Sequence, residues 1–172
     1  MKIRLYLGKA KPKPPNTHTM KKITPFLWFD NNLEEAMNFY TSIFQNSVIQ
    51  NMSYYSEGGP MKKGTVMSAS FHLDGQDFLA MNGGPAFSFT PAVSLFVNCH
   101  TQEEIDEFWE KLSAGGEKSR CGWLKDKFGL SWQIVPADLG KLLHHKDPEK
   151  AARVMTVMMK MDKLNIQALR DA

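Results

Sequence analysis

The sequence predicts an α+β fold: two tandem units, each reading strand, helix and then strands, followed by a helical tail. Three observations predict it. At an offset of 69 residues, LEEAMNFY (33–40) falls on QEEIDEFW (102–109), pairing Glu34 and Glu35 with Glu103 and Glu104, Phe39 with Phe108 and Tyr40 with Trp109. At an offset of 54, DGQDFLAM (74–81) falls on FGLSWQIV (128–135), pairing Gly75 with Gly129, Phe78 with Trp132 and Leu79 with Gln133. Beyond Pro136 the strand pattern stops, and apolar residues recur at spacings of three and four, the period of a helix.

Each element has its own justification. Residues 1–19 carry five of the 21 basic residues, three prolines and no acidic residue. They contain no apolar run of the length a signal peptide needs, so the expectation is a disordered basic leader or a remnant of expression. The first unit, 20–90, opens on PFLWFD (25–30), a β-like run, and Asp30 to Asn32 supply helix-start chemistry before LEEAMNFY. Strands follow at 47–55, 64–73 and 76–82, with SEGGPMKKG (56–64) as a long Gly- and Pro-marked connection. The second unit, 91–136, aligns SLFVNC (94–99) with PFLWFD, so that Ser94 falls on Pro25. It begins its helix at Thr101 and continues through about 117–125 and 130–136, with one strand short. In the tail, 137–172, Pro148 sits where a first helical residue belongs. The Met155, Met158, Met159 and Met161 cluster reads as adaptable packing. An apolar face on such a helix also suits a homodimer contact.

Bulk properties remove several function classes. A hydrophobic content of 42% supports a real core, and no apolar run is long enough for a membrane span. Cys99 and Cys121 make no disulfide framework and fit a reducing, cytoplasmic setting. Without the leader the charge is 16 basic against 18 acidic residues, and no second basic cluster exists, which argues against nucleic-acid binding.

The stretches FLWFDNNLEEAMNFYTSIF, LDGQDFLAMNGGP and CGWLKDKFGLSWQIVP resemble the vicinal oxygen chelate superfamily of glyoxalase, bleomycin-resistance and dioxygenase proteins. Closer in, they are similar to its PhnB-like branch, often labelled 3-demethylubiquinone-9 3-methyltransferase. The resemblance covers about 21–165. It implies two βαβββ modules forming a cup-shaped mixed sheet with helices outside, commonly completed by a dimer. In metal-dependent members it also implies ligands at positions that here hold Thr24 or Pro25, Leu79, Val93 or Ser94, and Gln133. Divalent transition metals want imidazole, thiolate or carboxylate donors. Only Gln133 is even a weak one, so no resident metal and no cofactor are expected.

What remains is a polar, aromatic pocket. In 92–99, Val93, Leu95 and Val97 should pack on the helices, while Ser94, Phe96 and Asn98 face the cup. By the same alternation Ser68 and Ser70 point there, as does Gln133, an amide on an apolar strand that must find a partner. Trp123 to Asp126 and the loop NGGPAFSF (82–89) should form the rim. The ligand-binding set is therefore Gln133, Ser94, Asn98, Phe96, Ser68, Ser70 and Trp123, with no catalytic residue assigned and enzymatic activity left open. The expected function is binding of a small organic molecule. The alternatives are a metal-dependent enzyme of the glyoxalase or dioxygenase type, or the methyltransferase activity of the family label. The last finds no strand–GxG–helix cofactor loop.

Overall fold

A computed structural model describes residues 21–172; the expected leader lies outside the described residues. The first module runs β1 (Phe26–Phe29), α1 (Leu33–Ile43), β2 (Val48–Tyr54), β3 (Val66–Leu73) and β4 (Gln76–Asn82). The second runs β5 (Ser94–Cys99), α2 (Gln102–Ser113), β6 (Glu117–Lys118), β7 (Trp123–Lys125) and β8 (Ser131–Pro136), before α3 (Leu139–Leu143), α4 (Pro148–Met158) and α5 (Ile166–Asp171). Each module forms a four-stranded mixed sheet, ordered β1-β4-β3-β2 and β5-β8-β7-β6, with β1 parallel to β4 and β5 parallel to β8. Both modules are thus βαβββ units. The segment expected as one strand over 117–125 is two. Its turn at 119–122 puts Cys121 and Gly122 at positive φ, and a Cβ at Gly122 would lie 2.5 Å from the Ile134 carbonyl oxygen, so glycine is required there.

The two helices bury what their periodicity says. Leu33, Ala36, Met37, Tyr40 and Ile43 face inward on α1, and Ile105, Trp109 and Leu112 on α2. Thr101 caps α2 through a complete capping box with Glu104. Asn32 makes no side-chain cap to α1. Asn82, at the end of β4, does that work instead: its Oδ1 accepts from Leu33 N–H at 3.0 Å, and its Nδ2 donates to Val66 O at 2.8 Å.

One apolar core joins the modules, running from Phe29, Tyr40 and Phe71 to Ile105, Trp109 and Trp132. Where it meets α2, Phe44 stacks on Phe108 and Trp132, with ring centroids 5.1 and 5.4 Å away. A second cluster forms where Val154, Leu164 and Leu169 of the tail close over Val135. Met158 and Met161 pack there, whereas Met155 and Met159 stay exposed.

The repeat aligns in the helices but slips by one in the first strand. Backbone pairing sets Phe26 beside Leu79 and Phe96 beside Gln133, so Phe96 is the counterpart of Phe26, and Ser94 is not that of Pro25. The cause is one extra residue between β1 and α1, where Asp30, Asn31 and Asn32 stand against His100 and Thr101.

Candidate functional site

The alternation along β5 holds. Leu95 and Val97 pack against the core, while Ser94, Phe96 and Asn98 lie on the other side, Phe96 with 54% of its surface exposed. Val93 departs from expectation: it precedes the strand and is exposed instead of packing on a helix. On β8, Gln133 is half-buried between Phe96 and Trp123 on the neighbouring strands. Its Nε2 donates to Ser94 Oγ at 2.8 Å. A hydroxyl accepts twice and donates once, so Ser94 keeps its own proton to offer outward. The buried-amide problem is solved by a neighbour that passes the polarity on.

In the first module Ser68 and Ser70 turn to the open side of the sheet but are engaged by β2. Ser53 and Ser68 share a hydroxyl–hydroxyl bond of 2.7 Å, and Asn51 Nδ2 donates to Ser70 Oγ at 3.2 Å. They line a small depression of about 260 Å³ with Phe26 and Leu79. Ser94, Phe96 and Asn98 line a different and larger cleft of about 720 Å³. That cleft lies between the modules. One wall is β5 with α2; the other is the end of α1 with the β3–β4 turn; Phe44 and Trp132 contribute to its lining.

Two rim assignments are corrected. Asp126 is buried. Its Oδ2 accepts from Tyr40 O–H and Trp132 Nε1–H, both at 2.8 Å, and its Oδ1 from Phe128 N–H at 2.9 Å and Leu130 N–H at 3.0 Å. Burial pushes its carboxyl above the usual range against the pull of these four bonds, and the same burial, with Asp126 beside it, drives the Tyr40 phenol well up. This carboxylate fastens α1 of the first module to the β7–β8 turn of the second. The loop after β4 is likewise structural at its start. Asn82 is buried, and a Cβ on Gly83 would sit 2.1 Å from the Trp28 ring, whose Nε1 donates to Gly84 O at 2.9 Å. Further on, Phe87 meets Trp28 edge-on and remains exposed.

None of the expected metal positions supplies a strong donor. Leu79 has none, Ser94 offers only a neutral hydroxyl that already accepts from Gln133, and Thr24 Oγ1 donates to Lys21 O. Among the described residues no three His, Cys, Asp or Glu side chains come together as a metal site. The residues present therefore do not fit the metal that the fold's metal-dependent members hold. His72 belongs to the β3–β4 hairpin: Gly75 N–H donates to its Nε2, so the proton is on Nδ1, 2.8 Å from Asp77 Oδ1. Cys99 is a buried thiol whose pKa is pushed up to about 12, by burial first and then by Glu104, which favours the protonated form.

Residues 21–135 match the family model described as 3-demethylubiquinone-9 3-methyltransferase. The chain belongs to this family. Among solved structures it is similar to the PhnB protein of Bacillus cereus, which is named for the same methyltransferase. The two are 46% identical with a TM-score of 0.64, over 68% of this chain and all of that one. It shares the fold of PA1353 from Pseudomonas aeruginosa, at 20% identity and TM-score 0.53 over 64% of this chain and 92% of that one. It also shares the fold of FosX from Listeria monocytogenes, solved with Mn(II) and sulfate, at 17% identity and TM-score 0.50 over 73% and 97%. No curated protein sequence matches the chain. The fold is that of the vicinal oxygen chelate proteins, within the PhnB-like family.

Glu104, Glu107 and Phe108 of α2 and Asp74 of the β3–β4 turn also line the large cleft. Sequence reasoning assigned Glu104 only to the helix start, where it does serve. The i, i+3, i+4 spacing of 104, 107 and 108 was the available signal that one stripe of α2 faces a common surface.

Proposed function

We propose that this PhnB-like protein binds a small, partly aromatic organic molecule in the cleft between its modules, without a resident metal. The observation that carries the reading is that Ser94, held by Gln133 from outside the lining, reaches a cleft of about 720 Å³ that Phe44, Phe96, Phe108 and Trp132 also line. Its lining joins apolar and aromatic residues with nearly as many polar and charged ones, so a small molecule would find both apolar contact and directed polar groups there. Ser94 donates to a ligand acceptor, Gln133 fixes the serine rotamer, and Phe96 with Phe108 supplies apolar contact. The methyl-transfer activity in the family's description would need a donor cofactor. The turns of the second module offer no glycine-rich loop opening a helix of the kind that cradles a nucleotide-type cofactor.

The protein acts as a homodimer in this reading. Phe26, Val48, Phe87 and Phe96 leave more than half of their surface exposed, as does Met159 at the end of α4, and a second copy would cover them. The free thiols of Cys99 and Cys121 agree with a cytoplasmic site of action; among the described residues no helix is long and apolar enough to cross a membrane.

A screen of small aromatic compounds by thermal shift, on chelator-treated protein, tests the binding reading. Hits that stabilise the wild type and lose affinity in Ser94→Ala support it. Stabilisation by divalent metal ions alone, with no response to organic compounds, contradicts it.

A further inference from the structure

The methionine cluster of the tail meets one of the two cysteines. Residues 137–172 lie beyond the stretch 21–135 that matches the family model, and the tail is fixed to the second module at the β6–β7 turn. Cys121 N–H donates to Met161 O at 2.8 Å and Gly122 N–H to Asp162 O at 2.7 Å. A Cβ at Gly122 would press on Leu164 at 3.2 Å, so the tail lies directly on the turn. This backbone registry brings Cys121 Sγ to 3.7 Å from Met159 Sδ. Neither residue is sealed from solvent: Cys121 is half-buried, and Met159 keeps 52% of its surface exposed. Met155 stands one turn earlier on the same helix face and is also exposed. The thiol's other contact, to Met158 O at 3.6 Å, is a weak S–H bond that a deprotonated sulfur gives up.

Two sulfurs 3.7 Å apart, each about 2.3 Å from a common ion as metal–thiolate bonds are, would subtend roughly 105–110°. That is a bent pair with one side left for a third donor. Thiolate and thioether are soft ligands and together select Cu(I), whereas hard ions want oxygen and the divalent ions of intermediate softness want imidazole or carboxylate as well. Charge agrees, because one thiolate neutralises a monovalent ion and leaves a divalent one half-compensated. Among the described residues no three His, Cys, Asp or Glu side chains gather as a harder site would need.

We infer that the Cys121 thiolate and the Met159 thioether, with Met155 as the third sulfur, form a binding site for Cu(I). On binding, the S–H bond of Cys121 breaks, its proton leaves to solvent and a sulfur–copper bond forms, with no change of oxidation state. None of the three residues lines the large cleft, so this site is independent of the small-molecule reading. A second copy lying over Met159 in the homodimer would shelter the ion from water without taking the sulfur, whose partner Cys121 belongs to the same chain.

Anaerobic titration of the reduced full-length protein with Cu(I), against bathocuproine disulfonate as a coloured competitor, tests the site. The wild type should hold one Cu(I) per chain, and Zn(II) in equal excess should not displace it. Cys121→Ser, which keeps Cys99, should yield its copper to the competitor. Met159→Leu and Met155→Leu should each weaken binding by about tenfold or more, the least that loss of a direct ligand costs. Met158→Leu should leave it unchanged, because that side chain packs inward on the tail's own apolar cluster. Leucine matches methionine in volume and both Met155 and Met159 are exposed, so these variants should melt with the wild type. Failure of the wild type to hold Cu(I), or Cu(I) retained in Cys121→Ser, would overturn the site. Wild-type affinity in either Met159→Leu or Met155→Leu would overturn it too, since copper would then be held by a thiol without its three-sulfur set.

Discussion

Removing the Asp126 carboxylate should uncouple the two modules. Asp126→Ala leaves four donors behind: Tyr40 O–H, Trp132 Nε1–H and the backbone N–H groups of Phe128 and Leu130. Three of these bonds are buried and the Phe128 bond is partly so. A buried donor without a partner costs about 1–3 kcal/mol. Relief of the carboxylate's own burial offsets part of this, so a net loss of about 3–4 kcal/mol is expected at neutral pH. Equilibrium urea unfolding measures it. Tyr40→Phe removes one donor and should cost about 1–2 kcal/mol, and the Tyr40–Asp126 double-mutant cycle should show strong coupling. The pH dependence has a definite sign. Burial raises the folded carboxyl above its unfolded value of about 3.9, so the folded state binds the proton more tightly. Its contribution is complete below the unfolded value and is lost as pH rises through the folded one. Asp126→Asn should flatten that part of the profile. A loss under about 1 kcal/mol in Asp126→Ala, smaller than one unpaired buried donor, with no Tyr40 coupling, would refute the hub.

Other outcomes can be checked directly. Gln133→Leu should keep the melting temperature, since the first module already holds Leu79 at this place, and should weaken a cleft ligand by up to roughly tenfold, one neutral hydrogen bond. A destabilised variant of unchanged affinity would make Gln133 a structural amide only. Gly83→Ala should cost about 1–3 kcal/mol, because its Cβ would meet the Trp28 ring at 2.1 Å; indole fluorescence should shift with it. Light scattering at micromolar concentration should return the mass of a dimer, and a monomer would leave the exposed Phe26 and Phe96 without the proposed cover.

The helices and most strands were legible because their signals are local. A capping box at Thr101, Pro148 at a first helical position and alternation along β5 each occupy a few adjacent residues. The internal repeat added order, but similarity alone could not see the extra residue between β1 and α1, and the first-strand register slipped. The sequence reading puts Asp126 at the rim together with Trp123, Leu124 and Lys125, as one stretch. Its burial depends on Tyr40, 86 residues away. An Asp three residues before Gly, with its side chain bonding its own backbone, was the local hint. The division of the serines between two depressions, and the carboxylates of the large cleft, follow from how the modules meet, which no single segment encodes.

The central claim is ligand binding without metal, and the most direct test is the affinity of one cleft ligand measured calorimetrically on chelator-treated protein and again with Mn(II), Ni(II) or Zn(II) added. The account predicts the same dissociation constant within about twofold, a difference too small to represent a gained coordination bond. Tightening of more than about tenfold on adding a metal, abolished in Gln133→Leu, would contradict it and return Gln133 to the role of a metal ligand.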